Sequence, residues 1–312
     1  MRTFFIAGVV HLVFSLLVVS LVHAEDGKSD LSKQLKAAKA KLPQNTFLMK
    51  YKFQEGESIE WSVRHLATTE TKIKGETQEA QSSTASSKVW TIEKVDEDGN
   101  ITFVNTLKSV NMWKKVTGES EVRYNSSTDD EPPLDYRSVA KAIGVPLSKV
   151  TITPTGHVIK HTSASQVFEL GVADLTVPFP TAAIRVGQKW HTTDEVTVVV
   201  EGRSKKIKVR QQFQLATVQT ALATIKVKTQ VITPFSNPKI ESQLVQKITH
   251  GTVKFDMDAG RIVSKHFDWD ESVVGFNGAD SRLKYLARFT EKIHSDSKTV
   301  RRNTESLDLS AG

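Results

Sequence analysis

Long runs in which apolar and polar residues alternate one for one constrain this 312-residue chain more than any other feature. In Arg282–Ile293 the apolar Leu283, Tyr285, Ala287, Phe289 and Ile293 alternate with Arg282, Lys284, Arg288 and Lys292. Successive side chains of a strand point to opposite faces, so such a run buries one face and solvates the other. The same pattern, rich in β-branched and aromatic residues, covers Phe47–Phe53, Ile59–Thr69, Val89–Val95 and Ile101–Trp113. It returns in Glu195–Glu201, Lys206–Val218, Leu222–Thr233, Gln243–Phe255 and Arg261–Val274. Asp96-Glu-Asp98-Gly99-Asn100 and Asp256-Met-Asp258-Ala-Gly260 carry the residues of tight hairpin turns between such runs. The small polar stretch Thr77–Lys88 reads as the outer end of a long hairpin. The expected fold is all-β and mainly antiparallel: two tandem curved sheets or half-barrels with one or two short helices.

Helix signals are few. Leu134–Ile143 follows the Asp129–Pro133 stretch, can place Leu134, Val139, Ala142 and Ile143 on one face, and meets Gly144 where a helix should stop. Asp30–Leu42 has Leu31, Leu35, Ala38 and Leu42 on one stripe, with Pro43 ending it. The organisation that follows is a leader at 1–24, a helical or flexible segment at 25–46, a first β domain at 47–177 with its helix near 134–143, a second at 178–294, and a polar, disordered tail at 295–312. The boundary falls at Thr176-Val-Pro178-Phe-Pro180, whose prolines suit a connector.

Residues 1–24 have the order of a secretory signal: Arg2, an apolar run from Phe4 to Leu21, then Val22-His23-Ala24 before Glu25. The interruptions at His11, Ser15 and Ser20, with the small residues at the end, favour cleavage after Ala24 over an uncleaved anchor. The expected location is the periplasm, cell envelope or exterior, with no transmembrane segment in the mature chain. There is no cysteine, which removes disulfides, thiol catalysis and zinc–thiolate or iron–sulfur sites. The charge excess is mild, +7 over the whole chain. Its longest concentration, Arg203-Ser-Lys205-Lys206-Ile-Lys208-Val-Arg210, alternates with Ile207 and Val209 as one solvated strand face would. An exported protein is a poor candidate for nucleic-acid binding; an anionic surface such as lipid headgroups or polysaccharide fits this charge better.

Within the β pattern lies an internal echo. Tyr51-Lys-Phe53-Gln-Glu-Gly56-Glu-Ser-Ile59-Glu-Trp61 is matched by Ala183-Ile184-Arg-Val186-Gly187-Gln-Lys-Trp190. Further on, Trp90-Thr-Ile92 resembles Phe213-Gln-Leu215, after which two registers compete: Val104 with Val227, or, one residue shifted, Phe103 with Ile225 and Trp113 with Phe235. Gly56 and Gly187 read as bends, and Trp61, Trp90, Trp113, Trp190 and Trp269 as core residues.

Chemistry is sparse. His157 and His161 would lie about 13 Å apart on a strand, too far to share a metal. Asp256-x-Asp258 and Asp96-x-Asp98 begin like calcium loops, but the required twelfth-position Glu is Phe267 or Leu107. Ser236-Asn-Pro-Lys239 fits S-x-x-K in letters, with Pro238 and the strand pattern around it against the helix start that chemistry needs. Asp268-Trp269-Asp270-Glu271 would put both aspartates on one side of a strand and the tryptophan on the other. No catalytic, cofactor-binding or metal-binding residue is assigned, no cofactor is expected, and ligand-binding positions are left open.

The strand-Gly-Trp openings, Tyr124-Asn-Ser126, Gly144-Val-Pro146, Thr153-Pro-Thr-Gly156-His-Val and Val186-Gly187-Gln-Lys-Trp190 together resemble a family of exported bacterial proteins of unknown function common in planctomycetes. More coarsely, long antiparallel strands in an exported unit are similar to the half-barrels of outer-membrane lipoprotein carriers. The family brings no catalytic residues to transfer, and the expectation is a non-enzymatic envelope protein whose concave sheet faces take an apolar or amphipathic ligand such as a lipid. The alternative is a structural or protein-interaction module that partners envelope proteins.

Overall fold

The alternating runs form fourteen strands in the computed structural model, which describes residues 45–163 and 176–294. In chain order they are β1 (Thr46–Phe47), β2 (Ser58–Ile73), β3 (Glu76–Val95), β4 (Ile101–Val116) and β5 (Val122–Asn125). A 3-10 turn (Leu134–Tyr136) and helix α1 (Arg137–Ala142) precede β6 (Pro146–Ile152) and β7 (Val158–Ser163). Then come β8 (Ile184–Arg185), β9 (Lys189–Val200), β10 (Arg203–Gln219), β11 (Leu222–Val231), helix α2 (Pro238–Leu244), β12 (His250–Asp256), β13 (Arg261–Val274) and β14 (Arg282–Ile293). The all-β, antiparallel expectation holds. The leader, the Asp30–Leu42 helix and the tail from residue 295 lie outside the described residues.

One sheet runs through both halves of the sequence in the order β7-β6-β4-β3-β2-β14-β13-β12-β11-β10-β9, with β5 beside β4. Residues 47–177 and 178–294 each supply one unbroken run of neighbouring strands. The runs are sewn together where β2, the first long strand, pairs over its length with β14, the last. Thr77–Lys88 is indeed hairpin, with Lys74 and Gly75 at positive φ forming its tip.

The sheet curls, because one core collects side chains from both runs. Ile59, Trp61, Trp90, Ile92, Ile101, Phe103, Val150 and Ile152 come from the first, and Phe213, Leu215, Ile225, Val253, Phe255 and Ile262 from the second. Two chain segments fill the space between them. Met49, Tyr51 and Phe53 form one, tied by Tyr51 N–H to the Pro154 carbonyl and by Lys52 N–H to the Gly260 carbonyl. Val177 and Phe179 form the other, and Val177 N–H donates to the Tyr51 hydroxyl at 2.8 Å. The proline-bearing stretch Thr176–Pro180 is therefore core rather than exposed connector: Phe179 is 1 % exposed, packed on Tyr51, Trp190 and Phe255.

Three local expectations are corrected. Asn237 caps α2, its Oδ1 accepting from Lys239 N–H, and Pro238 opens the helix, so residues 238–244 are helical although Pro238 and the surrounding strand pattern argued against a helix start. A proline costs nothing at a helix start because the first N–H groups have no partner anyway. The strand expected over Gln243–Phe255 accordingly begins only at His250. Trp113 is not a core residue: Lys108 is the extra residue of a bulge in β4, and Trp113 sits on the outer face opposite Ser83. Leu134 is exposed, while Val139 and Ala142 pack under β4 as the helix reading requires.

The two glycine bends match closely. Gly56 N–H donates to the Ile92 carbonyl and Gly187 N–H to the Leu215 carbonyl, both at positive φ. Ile92 pairs with Phe103 and Leu215 with Ile225 in their ladders.

Candidate functional site

The inner, concave face is built by the odd-numbered positions of β2, β14 and, beyond its bulge at Val263, β13, and by the even-numbered ones of β3. Near the core it carries a charge cluster. Lys265 and Glu291 face each other across β13 and β14, and Lys88 reaches the same carboxylate from β3. The Nζ–Oε distances are 2.6 Å from Lys88 and 3.1 Å from Lys265, with side chains 13 %, 4 % and 1 % exposed for Lys88, Lys265 and Glu291. Burial alone would push the Glu291 carboxyl up; the two ammonium groups override it and hold it at about 2. Lys88 also lies over the Trp90 ring. Beside Lys265, Gln211 and Thr176 line an enclosed cavity of about 10 Å³, room for at most one water.

Further along the same face the side chains become small. Ser86, Thr84, Ser82 and Ala80 of β3 oppose Val63, His65, Ala67 and Thr69 of β2, and Ala67 in turn opposes Ala287 of β14. On one flank Val110 and Met112 are covered by Val139 and Ala142 of α1. On the other, Val273 and Tyr285 are covered by Val245 at the end of α2. Between the covers runs an open strip walled by Trp269, Tyr285 and His65. The Trp269 ring stands edge-on to both, 6.0 Å from His65 and 6.5 Å from Tyr285, and its Nε1 donates to the Gln246 carbonyl. Burial lowers the His65 pKa and raises that of Tyr285. At the margin, Glu271 opposes Tyr285, its carboxyl raised by burial first and by Asp270 and Glu241 after that. Between the β2–β3 and β13–β14 hairpin tips lies a separate open groove of about 720 Å³, polar and lined by Glu70, Lys72, Asp280 and Arg282.

The residues singled out from sequence do not converge on this strip, Trp269 and Glu271 excepted. Asp268 points outward, held below the usual carboxylate range despite some burial by Arg288 at 2.7 Å and His266 at 2.9 Å. Asp270 is exposed. His157 bonds the Phe179 carbonyl while His161 sits exposed on β7. Asp96 and Asp256 accept backbone N–H groups of their own turns, as hairpin residues do. Ser236 and Lys239 are both exposed, beside a helix too short to organise them. Among the described residues no three His, Asp or Glu side chains gather as a metal would need. His65 and the small positions carried no motif; their only signal was a low-volume run inside a strand pattern.

No family model and no curated protein matches the chain. Solved structures are similar in part. A structure of lipid–protein interactions in lipovitellin is 12 % identical over 78 % of this chain, with a TM-score of 0.42, and this chain spans only 25 % of that one. The translocator domain of the autotransporter NalP from Neisseria meningitidis is 6 % identical, covering 85 % of this chain and 95 % of its own at a TM-score of 0.28. A DUF1329 family protein from Desulfovibrio piger is 10 % identical, covering 83 % and 90 %, at 0.15. At such TM-scores these likenesses carry no argument about what the chain does.

Proposed function

We propose that this chain is a non-catalytic binding protein of the cell envelope that lays an extended amphipathic ligand, such as a lipid acyl chain, along the uncovered strip of its inner sheet face. The observation behind it is the run of small, half-buried side chains, Ser82, Ala80, Thr69, Ala67 and Ala287, the last two bordering the cluster that Val245 covers. Small residues leave depth in a face that is otherwise packed. Trp269 and Tyr285 add an apolar wall with polar edges, a combination suited to holding a ligand with one apolar and one wet side. The cavity beside Lys265 is water-sized, so the ligand lies on the open face and not within the core. His65 is the imidazole of the strip, its pKa lowered by burial, and among the described residues no hydrogen bond ties it to a carboxylate or to the hydroxyl of Thr84 opposite, which supports a non-catalytic role.

Native mass spectrometry of protein purified from its host should find a bound lipid. Titration with a long-chain fatty acid should shift Trp269 emission to the blue, and Ala67→Trp, which fills the strip, should abolish that shift while leaving the fold intact. A protein that carries no lipid and whose Trp269 emission does not respond refutes the reading. The filled core and strand β7, every residue of which is exposed, favour a second one, an interaction module that meets a partner protein through the side chains of β7. A β7 variant, Ile159→Pro, that loses envelope cross-links while fatty-acid binding persists would support it.

A further inference from the structure

The outer face of the sheet is not charged evenly. Following the residue-by-residue pairing of β11, β12, β13, β14 and β2 gives three parallel rows. They read Thr224–Lys254–Ser264–Lys292–Ser62, Lys226–Thr252–His266–Thr290–Arg64 and Lys228–His250–Asp268–Arg288–Leu66. In these fifteen positions stand Lys226, Lys228, Lys254, Lys292, Arg64 and Arg288, all exposed, against the single carboxylate of Asp268, which Arg288 and His266 already engage. The rows continue onto β3 as Ser87, Ala85 and Ser83 and onto β4 as Ser109, Asn111 and Trp113, without a charge. The cationic field therefore stops at β2. On the other side the second and third rows meet the uncharged Gln214 and Gln212 of β10, and Arg210 and Lys208 stand further along that strand, where Glu195 meets Lys206.

We propose that this face docks the protein on an anionic lipid bilayer. Five strands about 4.8 Å apart and three rows about 7 Å apart spread the cations over a patch of roughly 19 by 14 Å. A two-dimensional array of this kind complements a plane of phosphate headgroups. A polyanionic strand would be served by a groove or a single line of charge, and by stacking Phe, Tyr or Trp rings, which these fifteen positions lack. Leu66 and Leu286, 42 % and 36 % exposed, rise from the same face beside Arg288 and Asp270, placed to enter the headgroup layer once the charges have brought it close. The opposite face, with the strip described above, would then point away from the bilayer. The docking face stands on its own charges and does not depend on the ligand reading of the strip.

The test is vesicle co-sedimentation of the full chain, parent and variant in the same form so that any contribution of the apolar leader cancels. Vesicles are phosphatidylcholine alone or with about a third phosphatidylglycerol. The parent should bind the anionic vesicles, release from them at high salt, and bind the neutral ones weakly. Lys226→Gln/Lys228→Gln/Lys254→Gln/Lys292→Gln should lose binding by about fivefold per charge, several hundredfold together, while Lys149→Gln, on β6 beyond the rows and paired with Glu93, changes nothing. Lysine acetylation footprinting of the parent checks the face without any substitution: vesicles should protect Lys226, Lys228, Lys254 and Lys292 and leave Lys149 reactive. Equal binding by parent and quadruple variant, or protection elsewhere, overturns the proposal. So does binding to a soluble polyanion such as heparin with no affinity for the anionic vesicles.

Discussion

Replacing Glu291 by glutamine tests how the core tolerates three charges. The side chain is 1 % exposed, and its carboxyl is held at about 2 against an ordinary 4.5 because Lys88 and Lys265 stabilise the ionised form more than burial penalises it. The unfolded chain keeps the ordinary value, so this carboxylate stabilises the fold fully above pH 4.5 and ceases to do so as pH falls through about 2. At about 1.4 kcal/mol per pH unit the difference corresponds to roughly 3 kcal/mol. Glu291→Gln removes that contribution and takes the shared carboxylate away from two buried ammonium groups, a change of the kind that costs about 3–5 kcal/mol. Urea denaturation at pH 7 should show a loss of that size. The gap to the parent should narrow as pH is lowered from 5 towards 2, where the parent carboxylate is itself protonated. Added salt should change the gap little, since buried pairs are weakly screened. A gap under about 1 kcal/mol at pH 7, or one that stays constant down to pH 2, would mean that the cluster is solvated and the reasoning fails.

Other expectations follow from the same packing. Gly156→Ala should destabilise by about 2 kcal/mol or more, measured by thermal unfolding, since Gly156 is at φ +85° and a Cβ there would meet the Tyr51 ring and the Val177 carbonyl. Phe179→Ala should cost about 3–5 kcal/mol in the same assay, which a solvent-exposed connector would not. Asp268→Asn should change stability by under about 1 kcal/mol at physiological salt, because its ion pairs with Arg288 and His266 are exposed. Asn237→Ala should cost about 1 kcal/mol and, by loosening the end of α2, alter Trp269 emission, since Trp269 Nε1 bonds the Gln246 carbonyl just beyond that helix.

The fold class was legible because alternation is local. Ile207 and Val209 are buried with Lys206 and Lys208 exposed in alternation with them, and Tyr285 is buried between the more open Lys284 and Leu286. Helix α2 was missed for a local reason too: Asn237-Pro238 is a helix opening that also reads as a turn, and seven residues give too short a period to stand out. Of the candidate site the sequence held Trp269 and Glu271 but not His65 or the small side chains, since alanine and serine in a strand carry no chemical signature until their neighbours across the ladder are known.

Period, turns and composition thus determine by themselves that this chain makes long antiparallel strands with one wet and one buried side. Tertiary structure alone decided that β2 pairs with β14, that Phe179 is a keystone of the core, and that Lys88, Lys265 and Glu291 share one buried site. The basic face belongs to the same class. The sequence shows one cationic run at 203–210, while the wider field is assembled from Arg64, Lys226, Lys228, Lys254, Arg288 and Lys292. The physical reason is that an antiparallel ladder places residues distant in sequence about 5 Å apart. Which residues become neighbours depends on strand order and register, and those are set by packing across the whole sheet.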